Sequence, residues 1–178
     1  MNEPQGLRQR LLDEAIAALD HGAGEPSLRA LARQLGVSAM ASYRHFPSKA
    51  ALLGAVVAEG FARLEAALRA ADQSAPGAEA LMAQGLAYVD FAMAQPGLFR
   101  LMFGLAGRDG GAASRDHAYG VLTARITALL PRPAPGAALA CWALVHGLAT
   151  LQLDRGGALS RQDLRQALAV VMHGLAAG

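Results

Sequence analysis

Apolar residues recur three and four positions apart along nearly the whole chain, and clusters of Gly and Pro cut that rhythm into lengths. Alternating strand patterns are missing and β-branched residues are sparse, so the chain is restricted to packed helices. Leu12, Ile16 and Leu19 make one apolar stripe. Leu53, Val57, Phe61, Leu64 and Leu68 make another. The breaks predict helices over 7–21, 27–35, a short piece between Ser38 and Pro47, 48–71, 78–95, 97–105, 113–130, 136–153 and 161–176. Asp72-Gln73-Ser74-Ala75-Pro76-Gly77 reads as a linker. The expected class is all-α: an N-terminal three-helix domain over 1–50, a connecting helix over 48–71, and a helical bundle over 72–178. Hydrophobic residues at 53% against 17% charged exclude a disordered chain and supply a core.

The segment Ser27 to Phe46, SLRALARQLGVSAMASYRHF, has the outline of a helix-turn-helix. Ser27 and Ser38 stand where N-caps belong, and Gly36 breaks the pattern between them. Leu28, Leu31, Ala32, Leu35 and Val37 supply an inner face. From Ser27 to Lys49 there are four cations, Arg29, Arg33, Arg44 and Lys49, and no acid, which gives +4 against a net +2 for the whole chain. A local excess of this kind is what binding to phosphates requires. Ala39, Met40 and Ala41 open the short second helix. Their small or apolar side chains let backbone approach base edges, and Met40 can touch a thymine methyl. Tyr43, Arg44 and His45 close it with groups that donate to phosphate oxygens. Lys49, the only lysine, falls in the first turn of the next helix. A cation there opposes the helix dipole unless a phosphate docks between them.

LARQLGVSAMASYRHFPSKAALL resembles the signature of the TetR family of regulators over residues 8–60. The resemblance implies that the short helix after the turn enters the major groove of double-stranded DNA. It implies that Ser27, Ala39, Met40, Ala41, Tyr43, Arg44, His45 and Lys49 lie near DNA, with Tyr43, His45 and Lys49 at phosphates. Position 42, usually a large aliphatic residue in that family, is Ser42 here. A hydroxyl on a packed face needs a partner, and a carbonyl one turn earlier is the expected one.

Six of the nine aromatics fall between residues 88 and 142, which sets the C-terminal half apart. Tyr88, Phe91, Phe99, Met102, Phe103, Tyr119 and Trp142 suit either a core or a pocket for an apolar effector. His146 either bonds such an effector or is a buried neutral imidazole held by a backbone group. Gln95-Pro96-Gly97 to Phe103, and Trp142 to His146-Gly147, resemble the TetR-type C-terminal domain named for its Trp-His-Gly signature. That resemblance implies a homodimer in which the last two long helices of each subunit form a four-helix interface. The helix from Ala137 to Leu153 is apolar almost all round and needs neighbours on several faces. A twofold dimer matches a palindromic operator.

Other classes are disfavoured. The apolar run at 137–153 approaches a membrane span in length, but His146 and Thr150 interrupt it. His146 and His173 lack the Cys or carboxylates that would complete a metal site, and no cofactor is expected. No nucleophile elbow, phosphate loop or HExxH motif marks an enzyme. A single cysteine, Cys141, and an N-terminus without a signal-peptide core fit the cytoplasm. The expected function is a ligand-responsive, sequence-specific DNA-binding regulator, a repressor released by a small apolar effector whose binding shifts the connecting helix.

Overall fold

The computed structural model describes residues 6–22, 24–104, 112–130, 132, 134 and 136–177. Among them lie nine helices and no strand: α1 (Leu7–Asp20), α2 (Leu28–Gln34), α3 (Ala39–His45), α4 (Lys49–Gln73), α5 (Gly77–Ala94), α6 (Pro96–Phe103), α7 (Ala112–Leu129), α8 (Ala137–Asp154) and α9 (Arg161–Ala177). The chain divides into two compact units, Met1–Gly60 with Gln95–Ala112, and Phe61–Ala94 with Ala113–Gly178. The boundary falls inside α4. The segment around α6, grouped by sequence with the C-terminal bundle, belongs to the first unit.

The first unit is built on the stripe of α1. Leu11, Leu12 and Ile16 are buried, as are Leu28 and Leu31 of α2, Phe46, Leu52 and Val56 of α4, and Leu98, Phe99 and Met102 of α6. The α1–α6 contact is close. A Cβ on Gly97 would collide with the Leu19 carbonyl, so only glycine fits. At the same point the Asp20 carboxylate accepts from the backbone N–H groups of Gly97 (2.8 Å) and Leu98 (3.1 Å). It thereby satisfies two donors that the α6 N-terminus leaves open.

The second unit is centred on α5, which packs along α8, with α9 against both. Leu81, Leu122, Ile126, Ala137 and Cys141 form one buried cluster, against which Tyr119, Trp142, Val171 and Met172 pack. The structure corrects the expected linker. Asp72 and Gln73 still belong to α4, and Asp72 makes a bidentate pair with Arg125 of α7 at 2.6 and 2.8 Å. The Ser160–Asp163 capping box heads α9. The Ser160 hydroxyl donates to Asp163 at 2.7 Å, and the Asp163 N–H returns a bond at 3.1 Å.

Candidate nucleic-acid interface and effector cavity

Three serines set the helix-turn-helix. Ser27 Oγ accepts from the Ala30 N–H (3.4 Å), Ser38 Oγ from Ala41 (3.2 Å) and Ser48 Oγ from Ala51 (3.1 Å). Between α2 and α3 the chain turns on Gly36, whose φ is +67°. The Val37 N–H reaches the Ala32 carbonyl (2.9 Å) and the Gly36 N–H reaches Arg33 (3.2 Å). This is the bond pair of a Schellman motif, which needs glycine at that position.

These caps fix which way α3 faces. Ser42 is 0% exposed and Phe46 is buried, so they form the inner side. The Ser42 hydroxyl donates to the Ala39 carbonyl at 2.7 Å and approaches that of Leu28 at 3.5 Å. The buried hydroxyl is therefore satisfied within its own turn, as expected. On the outer side Ala39, Met40, Tyr43, Arg44 and His45 are exposed, with Ala41 half-buried. Met40 is 69% exposed. Around them Ser27, Arg29, Arg33, Ser38 and Lys49 are exposed as well. Arg8 of α1 adds a cation, its guanidinium 5.3 Å from the Phe46 ring centre. Lys49 is paired with Glu25, both about half exposed.

The second unit contains a partly open cavity of about 30 Å³ lined by α4, α5, α7, α8 and α9 side chains, among them Leu68, Leu81, Tyr88, Leu122, Trp142 and Leu168. Tyr88 and Tyr119 each meet Trp142 edge to face, at 5.5 and 5.3 Å between centroids. The Tyr88 hydroxyl and His146 Nδ1 share a hydrogen bond of 3.1 Å. Burial holds the imidazole below its usual pKa and pushes the phenol and the Cys141 thiol up.

Known proteins bear on both units. The family profile described as "Bacterial regulatory proteins, tetR family" matches residues 11–56. The one described as "Tetracyclin repressor-like, C-terminal domain" matches residues 81–175, more than half of the chain. This chain belongs to the TetR family. A protein of unknown function from Rhodococcus sp. RHA1 is 32% identical, with 97% of this chain and 96% of that one covered and a TM-score of 0.75. A TetR transcriptional regulator from Streptomyces coelicolor is 25% identical over 94% of this chain and 97% of its own, with a TM-score of 0.61. A TetR family transcriptional regulator, PfmR, from Thermus thermophilus shares the fold at 24% identity and a TM-score of 0.63, over 94% and 97% of the two chains. No curated protein matches the sequence.

As a TetR regulator the protein is a DNA-binding transcription factor and not an enzyme. The residues expected at DNA are exposed on α3 and at the starts of α2 and α4, apart from the half-buried Ala41. The eight expected at an effector divide between the two units. Tyr88 and Trp142 line the cavity. Tyr119 packs behind Trp142, and the His146 ring shares a hydrogen bond with the Tyr88 hydroxyl. Phe91 is buried on α5. Phe99, Met102 and Phe103 lie on α6 in the other unit, where Phe99 and Phe103 stack 4.8 Å apart. Three residues were missed. Glu25 lies two positions before the acid-free segment that begins at Ser27. Gln84 and Asp72 line or support the cavity without any motif to mark them.

Proposed function

We propose that this TetR regulator is a cytoplasmic homodimer that holds a palindromic operator through α3 and releases it when a small apolar effector enters the second unit. The observation that carries the DNA reading is the exposed, acid-free outer face of α3 beside a fully buried Ser42 and Phe46. In this reading Ser38, Ala39, Met40 and Ala41 bring the helix start to base edges. Ser27, Arg29, Tyr43, Arg44, His45 and Lys49 grip phosphates. The Lys49–Glu25 pair must open for Lys49 to do so.

Dimerisation through α8 and α9 is supported by the apolar surface those helices leave uncovered. Leu139 is 64% and Val170 71% exposed, and Leu151 is exposed further along α8. By length and composition α8 is the one described helix apolar enough to cross a membrane. A second subunit against it accounts for that composition without a bilayer. The effector reading is supported by the apolar cavity, which must widen. Ligand pockets typically hold about 300–1,000 Å³. An effector that favours the widened state shifts α4, and the two α3 helices leave the spacing of about 34–36 Å that one DNA turn demands.

The test is titration of the full-length protein into labelled DNA from upstream of its own gene, at two salt concentrations, against scrambled DNA. Preferential, salt-sensitive binding that weakens in Tyr43→Ala and Lys49→Ala is the expected result. Equal weak binding to both DNAs, or variants identical to the parent in affinity and salt slope, would remove the assignment.

A further inference from the structure

The cavity lining is mostly apolar, and one polar side chain in it stands out. Gln84 is 2% exposed, and its Oε1 is the buried side-chain acceptor that finds no hydrogen-bond partner among the described residues. An amide carbonyl in such a place is unfavourable, since it has given up water for nothing. Rotating the amide would not relieve it. The Gln84 Nε2 donates to Asp72 Oδ1 at 2.6 Å, and Asp72 is held by the Arg125 Nε (2.6 Å) and Nη2 (2.8 Å). The Arg125 guanidinium keeps the Asp72 carboxyl below its ordinary pKa, so it remains an ionised, acceptor-only group. Only the nitrogen end of Gln84 can face it. The chain Arg125, Asp72, Gln84 therefore fixes the amide of a residue that lines the cavity, with its carbonyl oxygen buried and unpartnered among the described residues.

We infer that Gln84 is the specificity-determining acceptor of the effector cavity and that the effector is a neutral, largely apolar molecule carrying one hydroxyl or N–H donor. The inference rests on the reading of this cavity as the effector site. None of the lining residues carries a charge. A carboxylate or phosphate would find no cation there, and would face the Gln84 carbonyl with Asp72 behind it. The Tyr88 hydroxyl differs in already sharing a hydrogen bond with His146. A ligand donor would satisfy the oxygen that the fold leaves open. A ligand of the same shape without a donor would seal it in. Sites built this way discriminate strongly, because the wrong ligand strands a buried polar group.

The experiment uses the full-length protein and matched probes: phenol, 2-naphthol and 1-octanol, each beside its methyl ether and the carboxylate of similar size. Binding is measured calorimetrically on the parent and on Gln84→Met, which keeps the volume and removes the amide. Asp72 retains both Arg125 bonds in this variant, so it is expected to fold with a midpoint equal to or above the parent's. In the parent at least one alcohol should bind about tenfold more tightly than its ether, with the carboxylate weakest. In Gln84→Met that ratio should fall to about one, with ether binding retained. Alcohol and ether bound equally by the parent, or a preference that survives in Gln84→Met, would overturn the role of Gln84 and leave the cavity as the effector site. No binding by any alcohol or ether would overturn the cavity reading itself, and this inference with it.

Discussion

Replacing Gly97 with alanine tests the contact that ties α6 to the DNA-binding helices. The new Cβ would overlap the Leu19 carbonyl and stand 2.8 Å from the Asp20 nitrogen. Both are α1 backbone, so no rotamer change relieves the clash and the helices must separate. Overpacking of this kind costs about 1–3 kcal/mol. Separation also stretches the Asp20 bonds to the Gly97 and Leu98 N–H groups, each worth about 1.5–3 kcal/mol as a bond to a charged group. If half of that pair is lost, the whole cost is about 2.5–6 kcal/mol. Against a domain stability of about 5–15 kcal/mol this is a large fraction. The readout is amide hydrogen exchange in α1 and α6. Protection there should fall by about two to four decades, at about 1.4 kcal/mol per decade. The companion Asp20→Asn keeps the acceptor, removes its charge, and should cost about 1 kcal/mol. Protection in Gly97→Ala within about threefold of the parent would refute the close approach of α1 and α6.

Further outcomes follow from other contacts. Glu25→Gln should free Lys49 and tighten DNA binding by up to about fivefold, since an exposed pair is worth about 0.2–1 kcal/mol; weaker binding would assign Glu25 a different role. Ser42→Leu, although it moves toward the usual family residue, should destabilise the protein by about 1–3 kcal/mol, because the site is closed and its hydroxyl satisfied; a higher melting midpoint would contradict this. Asp72 titrates below its unfolded value of 3.8 because of Arg125, so its pairing stabilises the fold fully above about pH 4. That stability is lost as pH falls through the lower folded value, and Asp72→Asn should flatten the acid limb of a pH–stability profile. Cys141, buried and with its thiol pKa raised, should react with a thiol reagent only as fast as the second unit opens; immediate labelling would place it at the surface.

The ends of the helices were legible because their signals are local. Ser27 and Ser38 cap helices where their positions in the sequence say they should, and Gly36 turns the chain between α2 and α3. The inner and outer sides of α3 followed from the same spacing. Pairings between distant residues were not legible. Polar, small-residue composition made Asp72 look like linker, yet it lies in α4 and pairs with Arg125, 53 positions later. Aromatic composition pooled Phe99 and Phe103 with Trp142, and nothing in a list of ring residues says which unit each packs in. A hint was present in Gly97, a residue without a side chain at the start of a helix, opposite an aspartate that ends α1. Glu25 was within reach of charge counting, and a window begun two residues earlier would have included it.

The first unit is written in two pieces, Met1–Gly60 and Gln95–Ala112, with α5 and part of α4 between them. A fragment ending at residue 60 would therefore lack Leu98, Phe99 and Met102, and would expose the α1 surface they cover. Grafting this DNA-reading head onto another sensor means transplanting α6 with it, not cutting after the recognition helix. The ribosome faces the same constraint: α1 to α3 emerge early but wait for the whole of α5, which belongs to the other unit, before α6 arrives to complete their core.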